Sequence, residues 1–305
     1  MSQHVPILKI ALFGFARMAK AGADFFRKKN VNLYHFIPKD HLNSAEKFRV
    51  ITENSNCFLY HTTKSEALLN KLKQFKPDYI MVFGLNEKIP NSVIDVCPDA
   101  AFNVHPSLLP HFRGPNPWYW VLFHGEKETG ISIHKLTDSF DAGDVVASLS
   151  FPLHPLETQL SHQIQTYNHI PALLESFYPA LISKNIIGKK QKEGRYFRKI
   201  STRDLLINWK QPAKAIDAHV RAATPFYSTY FKLDNKVFKC LEVSITDRKA
   251  REAGDILITE NNFLISAQDY FVSISILDVP NYGIVSGSRY SNYAGLQSGM
   301  RCEIP

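Results

Sequence analysis

Along residues 1–150, runs of β-branched and aromatic residues alternate with helix-period patterns, as the βα units of a parallel sheet do. Residues 7–13 read as a first strand ending at Gly14, and about 18–29 as the helix that follows. Residues 31–37 form a second predicted strand, stopped by Pro38; 44–53 read as helix and 57–61 as a short strand. A helix over 65–75 ends at Lys76-Pro77-Asp78, and the unbroken apolar run 79–83 predicts a buried strand that Gly84 turns away. Residues 101–105 give another strand, closed by Pro106. A helix then carries Trp118 to Phe123, strands follow at 130–136 and 145–151, and 160–183 read as a long helix that Pro171 and Pro179 should kink.

The pattern changes after residue 200. A short helix over 211–221, with Pro212 at its start, precedes only short strands with turn signals: 227–233, Asp234-Asn235, 237–243 and 256–259. That texture predicts a small β-barrel. The fold expected is therefore α/β, a Rossmann-like mostly parallel sheet, plus a small C-terminal OB-like β-barrel. The domains expected are 1–183, a linker over 184–205, and 206–305.

Composition adds limits. With 45% hydrophobic and 21% charged residues the chain is globular, and no apolar run approaches the roughly 20 residues of a membrane span. The amino-terminal segment lacks a basic region and a small-residue cleavage site, so no signal peptide is expected and the cytoplasm is the expected compartment. Cys57, Cys97, Cys240 and Cys302 are widely spaced, which argues against a metal site and a disulfide scaffold.

The net charge of +8 suggests nucleic acid until it is located. Residues 1–183 hold 17 Lys/Arg against 16 Asp/Glu, and residues 201–305 hold 12 against 11. Residues 184–200 hold 7 against 1, so the excess sits in one strip. Read alone, that strip is a solvated linker or a phosphate-contacting surface.

The first βα turn, Gly14-Phe-Ala-Arg17, is not GxGxxG, and no GxxxxGK[ST] occurs, so dinucleotide and P-loop readings fail at their own fingerprints. Chemistry concentrates later. Asn103 and His105 alternate onto one face at the carboxyl end of a strand, where ligands gather in open α/β sheets. An amide donor and an imidazole there equip an oxyanion site with a proton-transfer group. Asp138, Asp141 and Asp144 are all candidates for a carboxylate beside the imidazole. His134 is expected to face away from the site, and Asp144 to serve turn chemistry.

The segment Ala101-Phe-Asn-Val-His-Pro-Ser-Leu-Leu-Pro-His-Phe-Arg-Gly-Pro-Asn-Pro117, with His124-Gly125, Thr129-Gly-Ile-Ser-Ile-His-Lys-Leu136 and Asp141-Ala-Gly-Asp144, closely resembles the 10-formyltetrahydrofolate-dependent formyltransferases. Weaker similarity at Ile207-Asn-Trp209, Pro212-Ala213, Ile216 and Val220-Arg-Ala222 extends it along the chain. The resemblance implies a triad of Asn103, His105 and Asp141. Asn103 and a cationic His105 would stabilise the oxyanion, and Asp141 would keep His105 charged. The rate would then rise with pH until His105 loses its proton. It also implies a folate site at Phe83, Gly84, Leu85, Lys135, Leu136 and Asp138, met largely through backbone hydrogen bonds. Arg113 and Ser107 would lie on the acceptor side, with no metal.

The acceptor is less legible. Members acting on tRNA carry a Gly-Thr-Pro turn after the first strand and a long basic loop after the second. This chain has Gly14-Phe-Ala-Arg17 and the nearly neutral stretch 38–46. RNA binding needs several phosphate contacts, which only the 184–200 strip could supply. A small amine, such as a nucleotide-linked amino sugar or an amino acid derivative, is therefore favoured over initiator methionyl-tRNA. Hydrolysis of the folate without an acceptor and a folate-binding module without catalysis remain further alternatives.

Overall fold

The computed structural model describes residues 7–29, 31–41 and 56–305. The helix expected over 44–53 lies outside them. Compact contacts divide the chain into two units, each discontinuous in sequence. The first holds Met1–Pro115, Thr129–Phe151 and Ile164–Phe197; the second holds Asn116–Glu128, Pro152–Gln163 and Arg198–Pro305. This differs from the contiguous division expected near 183 and 205.

In the first unit, strand β1 (Lys9–Gly14) leads into helix α1 (Ala16–Lys28), whose apolar stripe Met18, Ala19, Gly22, Ala23, Phe25 and Phe26 is buried. Strand β2 (Asn32–Pro38), strand β3 (Cys57–Tyr60), helix α2 (Glu66–Phe75) and strand β4 (Tyr79–Phe83) follow. The Ser65 hydroxyl caps α2 by accepting from the Leu68 amide, and Lys76 ends it in the left-handed region at φ 50°. Every residue of β4 is buried, as a strand covered on both faces must be. After a one-turn helix α3 (Asn91–Ile94) comes strand β5 (Ala101–His105).

Helix α4 (Pro117–Phe123), strand β6 (Glu128–Lys135), strand β7 (Val145–Pro152) and helix α5 (Gln159–Ser183) complete the amino-terminal run. The seven-stranded sheet has the order β3-β2-β1-β4-β5-β6-β7. Strands β1 to β5 pair in parallel, and β6 runs antiparallel to β5. Strand order reverses between β1 and β4, the place where α/β sheets leave a crevice. There Gly14, at φ 150°, lies so close to β4 that an added Cβ would meet the Phe83 carbonyl oxygen at 2.2 Å. The glycine of the first turn thus serves strand packing. Helix α5 runs as one long helix with Pro171 and Pro179 inside it, as expected. Each proline removes one helical N–H, while Ile170, Leu173, Leu174, Phe177 and Leu181 bury a continuous stripe.

In the second unit, Tyr119 of α4 is fully buried and donates to the Asp204 carbonyl at 2.9 Å. Its ring also meets His219 of helix α6 (Ala213–Ala223) edge-on at 6.4 Å. Those contacts explain why an amino-terminal helix is counted with carboxyl-terminal residues. Strands β8 (Thr229–Leu233), β9 (Lys236–Lys249), β10 (Ile256–Ile258), β11 (Phe263–Ser266), β12 (Tyr270–Val279) and β13 (Gly283–Ser286) form an antiparallel sheet ordered β10-β11-β12-β9-β8, with β13 on β12. Asp234 and Asn235, both at positive φ, make the two-residue turn between β8 and β9. Trp209, Ile216, Phe231, Phe238, Phe263 and Val272 lie in the core of this unit. Among the described residues, no helix is long and apolar enough to cross a membrane.

Candidate active site

Strand alternation puts Asn103 and His105 on one face of β5, while Val104 points into the opposite core. The antiparallel neighbour sets His134 directly opposite Asn103, and Ser132 opposite His105. Directly paired residues share a face. His134 therefore belongs to this cluster, contrary to its expected outward orientation. Expecting it to face away treated β6 in isolation and left out its antiparallel register with β5. The Asn103 amide nitrogen lies 3.1 Å from His134 Nε2 and donates to Asp141 Oδ1 at 3.4 Å. His134 Nδ1–H donates to the Lys135 carbonyl at 2.9 Å, and its Nε2 also lies 3.4 Å from Asp141 Oδ1.

Of the three candidate carboxylates, Asp141 is the one that meets His105, with Oδ1 3.5 Å from Nδ1. Asp138 is exposed and pairs with Lys88 at 3.6 Å. The Asp144 carbonyl accepts from the Lys135 amide at 2.9 Å, tying its loop to β6. The other Asp141 oxygen, Oδ2, accepts from the Gly114 amide at 2.9 Å. Burial alone would push the Asp141 carboxyl up. His105, His134 and the donated Gly114 hydrogen bond outweigh that and hold it well below the usual carboxylate range.

His105 is buried, and its Nε2–H donates to the Phe112 carbonyl at 3.0 Å. Burial pushes its pKa down, and Asp141 and the Phe112 carbonyl pull it back without cancelling the effect. Burial thus works against the resting cation expected for His105. With the Phe112 carbonyl accepting from Nε2–H, Nδ1 is the ring atom that faces Asp141.

The loop after β5 is built for position. Phe112, at φ 55°, presents its carbonyl to His105. Ser107 was expected to face the acceptor, but it is fully buried and its hydroxyl donates to the His111 carbonyl at 2.6 Å. It shapes the turn and has no donor left for a ligand. Arg113 donates from Nε and Nη2 to Gln191 Oε1, at 3.0 and 2.7 Å. It also lines an open cavity of about 430 Å³ with Glu193, Gly194 and Arg195.

The residues expected to hold folate fall at two strand ends, Phe83 closing β4 and Lys135 closing β6, and in the segments that follow them. Leu85 and Leu136 pack against the same small core as Ile89 and Val93, and Lys88 reaches Asp138 across the two segments. Phe83 is fully buried, its ring lying under Gly22 of α1. The Lys135 amide and carbonyl and the Leu136 amide are already engaged, with Asp144, His134 and Ala101 respectively. Those three groups belong to the sheet, so backbone recognition would fall to their neighbours.

The strip 184–200 is partly folded into this region. Lys189 pairs with Val145 and Tyr196 with Arg113 as isolated bridges. Gln191 donates to the Asp141 and Gly143 carbonyls at 2.9 and 2.6 Å. Tyr196 is close enough to feel the Asp141 charge: burial first, then that carboxylate, raise its pKa. Gln191 and Tyr196 carry no local signal in sequence, since they reach the cluster from some fifty residues downstream. Among the described residues, no group of three or more His, Cys, Asp or Glu could hold a metal ion.

Comparison with known proteins agrees with this architecture. The chain matches the family described as Formyl transferase over residues 29–175, and Formyl transferase, C-terminal domain, over 199–294. It is 30% identical over 246 residues to the methionyl-tRNA formyltransferase of Francisella tularensis subsp. novicida, covering 77% of this chain and 78% of that protein. The Buchnera aphidicola methionyl-tRNA formyltransferase is 28% identical over 250 residues, covering 80% and 79%. The fold is shared with an N-formyltransferase from Helicobacter canadensis, at TM-score 0.68 and 17% identity over 88% of this chain and 98% of that one. It is also shared with HypX from Aquifex aeolicus, at TM-score 0.67 and 16% identity over 96% of this chain, which spans about half (49%) of HypX. With both domains matched and a relative at this identity, the chain belongs to the 10-formyltetrahydrofolate-dependent formyl transferase family and is a formyl-transferring enzyme.

Proposed function

We propose that this enzyme transfers the formyl group of 10-formyltetrahydrofolate to the amine of a small acceptor, a nucleotide-linked amino sugar or an amino acid derivative, using Asn103, His105 and Asp141. The observation carrying the triad is convergence: Asn103 Nδ2 lies 3.4 Å, and His105 Nδ1 3.5 Å, from the same Asp141 oxygen.

The neutral acceptor amine attacks the formyl carbon, and the formyl oxygen takes up the displaced electron pair. The Asn103 N–H that makes the longer, 3.4 Å bond turns from Asp141 to that oxyanion. Nδ1 of neutral His105 receives the proton of the attacking amine, and the imidazolium is stabilised by the Asp141 carboxylate. Return of that proton to N10 of the folate lets the carbon–nitrogen bond break, yielding the N-formyl product and tetrahydrofolate. The rate then rises with pH through the acceptor's pKa, and titration of His105 causes no alkaline fall.

The charge map supports a small acceptor, because outside 184–200 positive and negative residues nearly balance. Within that strip, the backbone of Lys189 pairs with Val145, and Gln191 holds Asp141 and Gly143. A second reading, initiator methionyl-tRNA as acceptor, is favoured by the names of the relatives at 28–30% identity. One experiment separates them. The enzyme is incubated with 10-formyltetrahydrofolate and a panel of nucleotide-linked amino sugars and amino acid derivatives, with charged initiator tRNA in a parallel arm. Tetrahydrofolate release and product mass are followed. A formylated small amine is expected; saturable formylation of the tRNA at micromolar levels would replace the first reading with the second.

A further inference from the structure

Asp141 sits in the left-handed region, at φ 51°. A non-glycine residue persists there only where its surroundings over-determine it. Gln191 supplies that hold from outside the loop. Its amide donates to the carbonyls of Asp141, at 2.9 Å, and Gly143, at 2.6 Å. Its oxygen accepts both Nε–H and Nη2–H of Arg113, at 3.0 and 2.7 Å, so the amide cannot turn over without losing all four bonds. Arg113 is anchored too: its Nη2 reaches the Lys192 carbonyl at 3.2 Å, and its own carbonyl accepts from the Phe197 amide at 2.8 Å. Upstream, Lys189 and Val145 exchange both backbone hydrogen bonds, at 2.8 and 2.9 Å. The segment carrying Gln191 is thus fastened on both sides of it.

We propose that Gln191 is a positioning residue for formyl transfer: oriented by Arg113, it fastens the backbone of the Asp141 turn so that the carboxylate faces His105. This rests on the reading of Asp141 as the partner of His105. It gives Arg113 a role as the orienter of Gln191 beside its expected acceptor contact.

The groups facing His105 are Asp141, the Phe112 carbonyl and His134, whose ring centroid lies 6.4 Å away. Loosening Asp141 removes the one anion among them, so the imidazole should hold its proton less well. The test is a pH titration of the His105 ring by carbon-edited NMR of histidine-labelled full chain, assigned through His105→Gln. Gln191→Met keeps the side chain's shape without its polar atoms. Arg113→Lys keeps the charge but loses the fork, and reports if Gln191→Met does not fold. Asp141→Asn is the reference.

A fall of roughly half a pH unit or more in the His105 midpoint is expected in Gln191→Met, with a smaller fall in Arg113→Lys and melting temperatures near the native value. An unchanged or raised midpoint in Gln191→Met (or in Arg113→Lys, should it stand in), with Asp141→Asn lowered, overturns the positioning role and leaves the triad standing. No shift in Asp141→Asn overturns the triad reading and this inference together.

Discussion

At the residue scale the cluster works by opposed effects on two groups. Burial pushes the His105 pKa down, whereas His105, His134 and the Gly114 amide keep Asp141 ionised despite burial. In the proposed mechanism this pair receives one proton at Nδ1 and stabilises the resulting cation. Replacing Asp141 by Asn keeps the shape and removes the charge. Turnover should fall about 10²- to 10⁴-fold with little change in the KM for folate, measured as tetrahydrofolate release. Native-like turnover would take Asp141 out of the mechanism. Sequence alone selected Asn103 and His105 through their spacing on a strand end, and left three aspartates open. His134 was misplaced because a residue's face depends on its neighbour's register as well as on its own alternation.

At the scale of elements, the site is a strand pair with two loops folded over its end. The β5–β6 register brings His134 to Asn103, and the turn after β6 returns Asp141 toward β5. That return needs Gly143, because an added Cβ would lie 1.9 Å from the Lys135 carbonyl oxygen and 3.1 Å from the Thr137 methyl. A backbone oxygen in a sheet cannot move aside cheaply. Gly143→Ala should cost about 1–3 kcal/mol of stability and lower turnover together, read from denaturant unfolding and folate turnover on one preparation. Full stability with full turnover would show that the turn has slack. The strands and helices of the first unit were legible because their hydrophobic periods are local. The strip 184–200 was less so, since its bridges to Val145 and Arg113 depend on partners far away in the chain.

At the scale of the whole molecule, buried histidines couple folding to pH. His35 in the first unit, and His162 and His219 in the second, are each pushed by burial from about 6.5 down to about 4. Between those values the unfolded chain takes up protons that the folded chain refuses. Stability is therefore fully present above pH 6.5 and is lost as pH falls toward 4, by about 1.4 kcal/mol per pH unit per histidine. Asp141 acts in the same direction in a lower window, its contribution being lost only in stronger acid. Thermal unfolding at about pH 7.5 and pH 5 should show a clear drop, and equal midpoints would contradict the buried neutral histidines. The charge balance gives a second whole-molecule expectation. With a small acceptor, KM should change only a few-fold between roughly 50 and 200 mM salt, whereas six to ten phosphate contacts would weaken binding about 10³- to 10⁵-fold.

By itself the sequence determined the alternation of strands and helices, the largely β carboxyl end (where the helix Gly287–Tyr293 was not expected), the location of the excess charge, and the presence of an amide and an imidazole at a strand end. Its motifs pointed to the formyl transferases. These are properties of neighbouring residues or of fixed short spacings, which periodicity and local chemistry express directly. Only the tertiary structure decided that His134 joins His105 and Asp141, that Ser107 is spent inside its turn, and that Gln191 grips the Asp141 backbone. The place of His134 depends on strand register, the grip of Gln191 on a segment returning from some fifty residues away, and the Ser107 bond on how its own turn closes. The downward push on the His105 pKa belongs there too, because it follows from how completely the folded chain removes the ring from water.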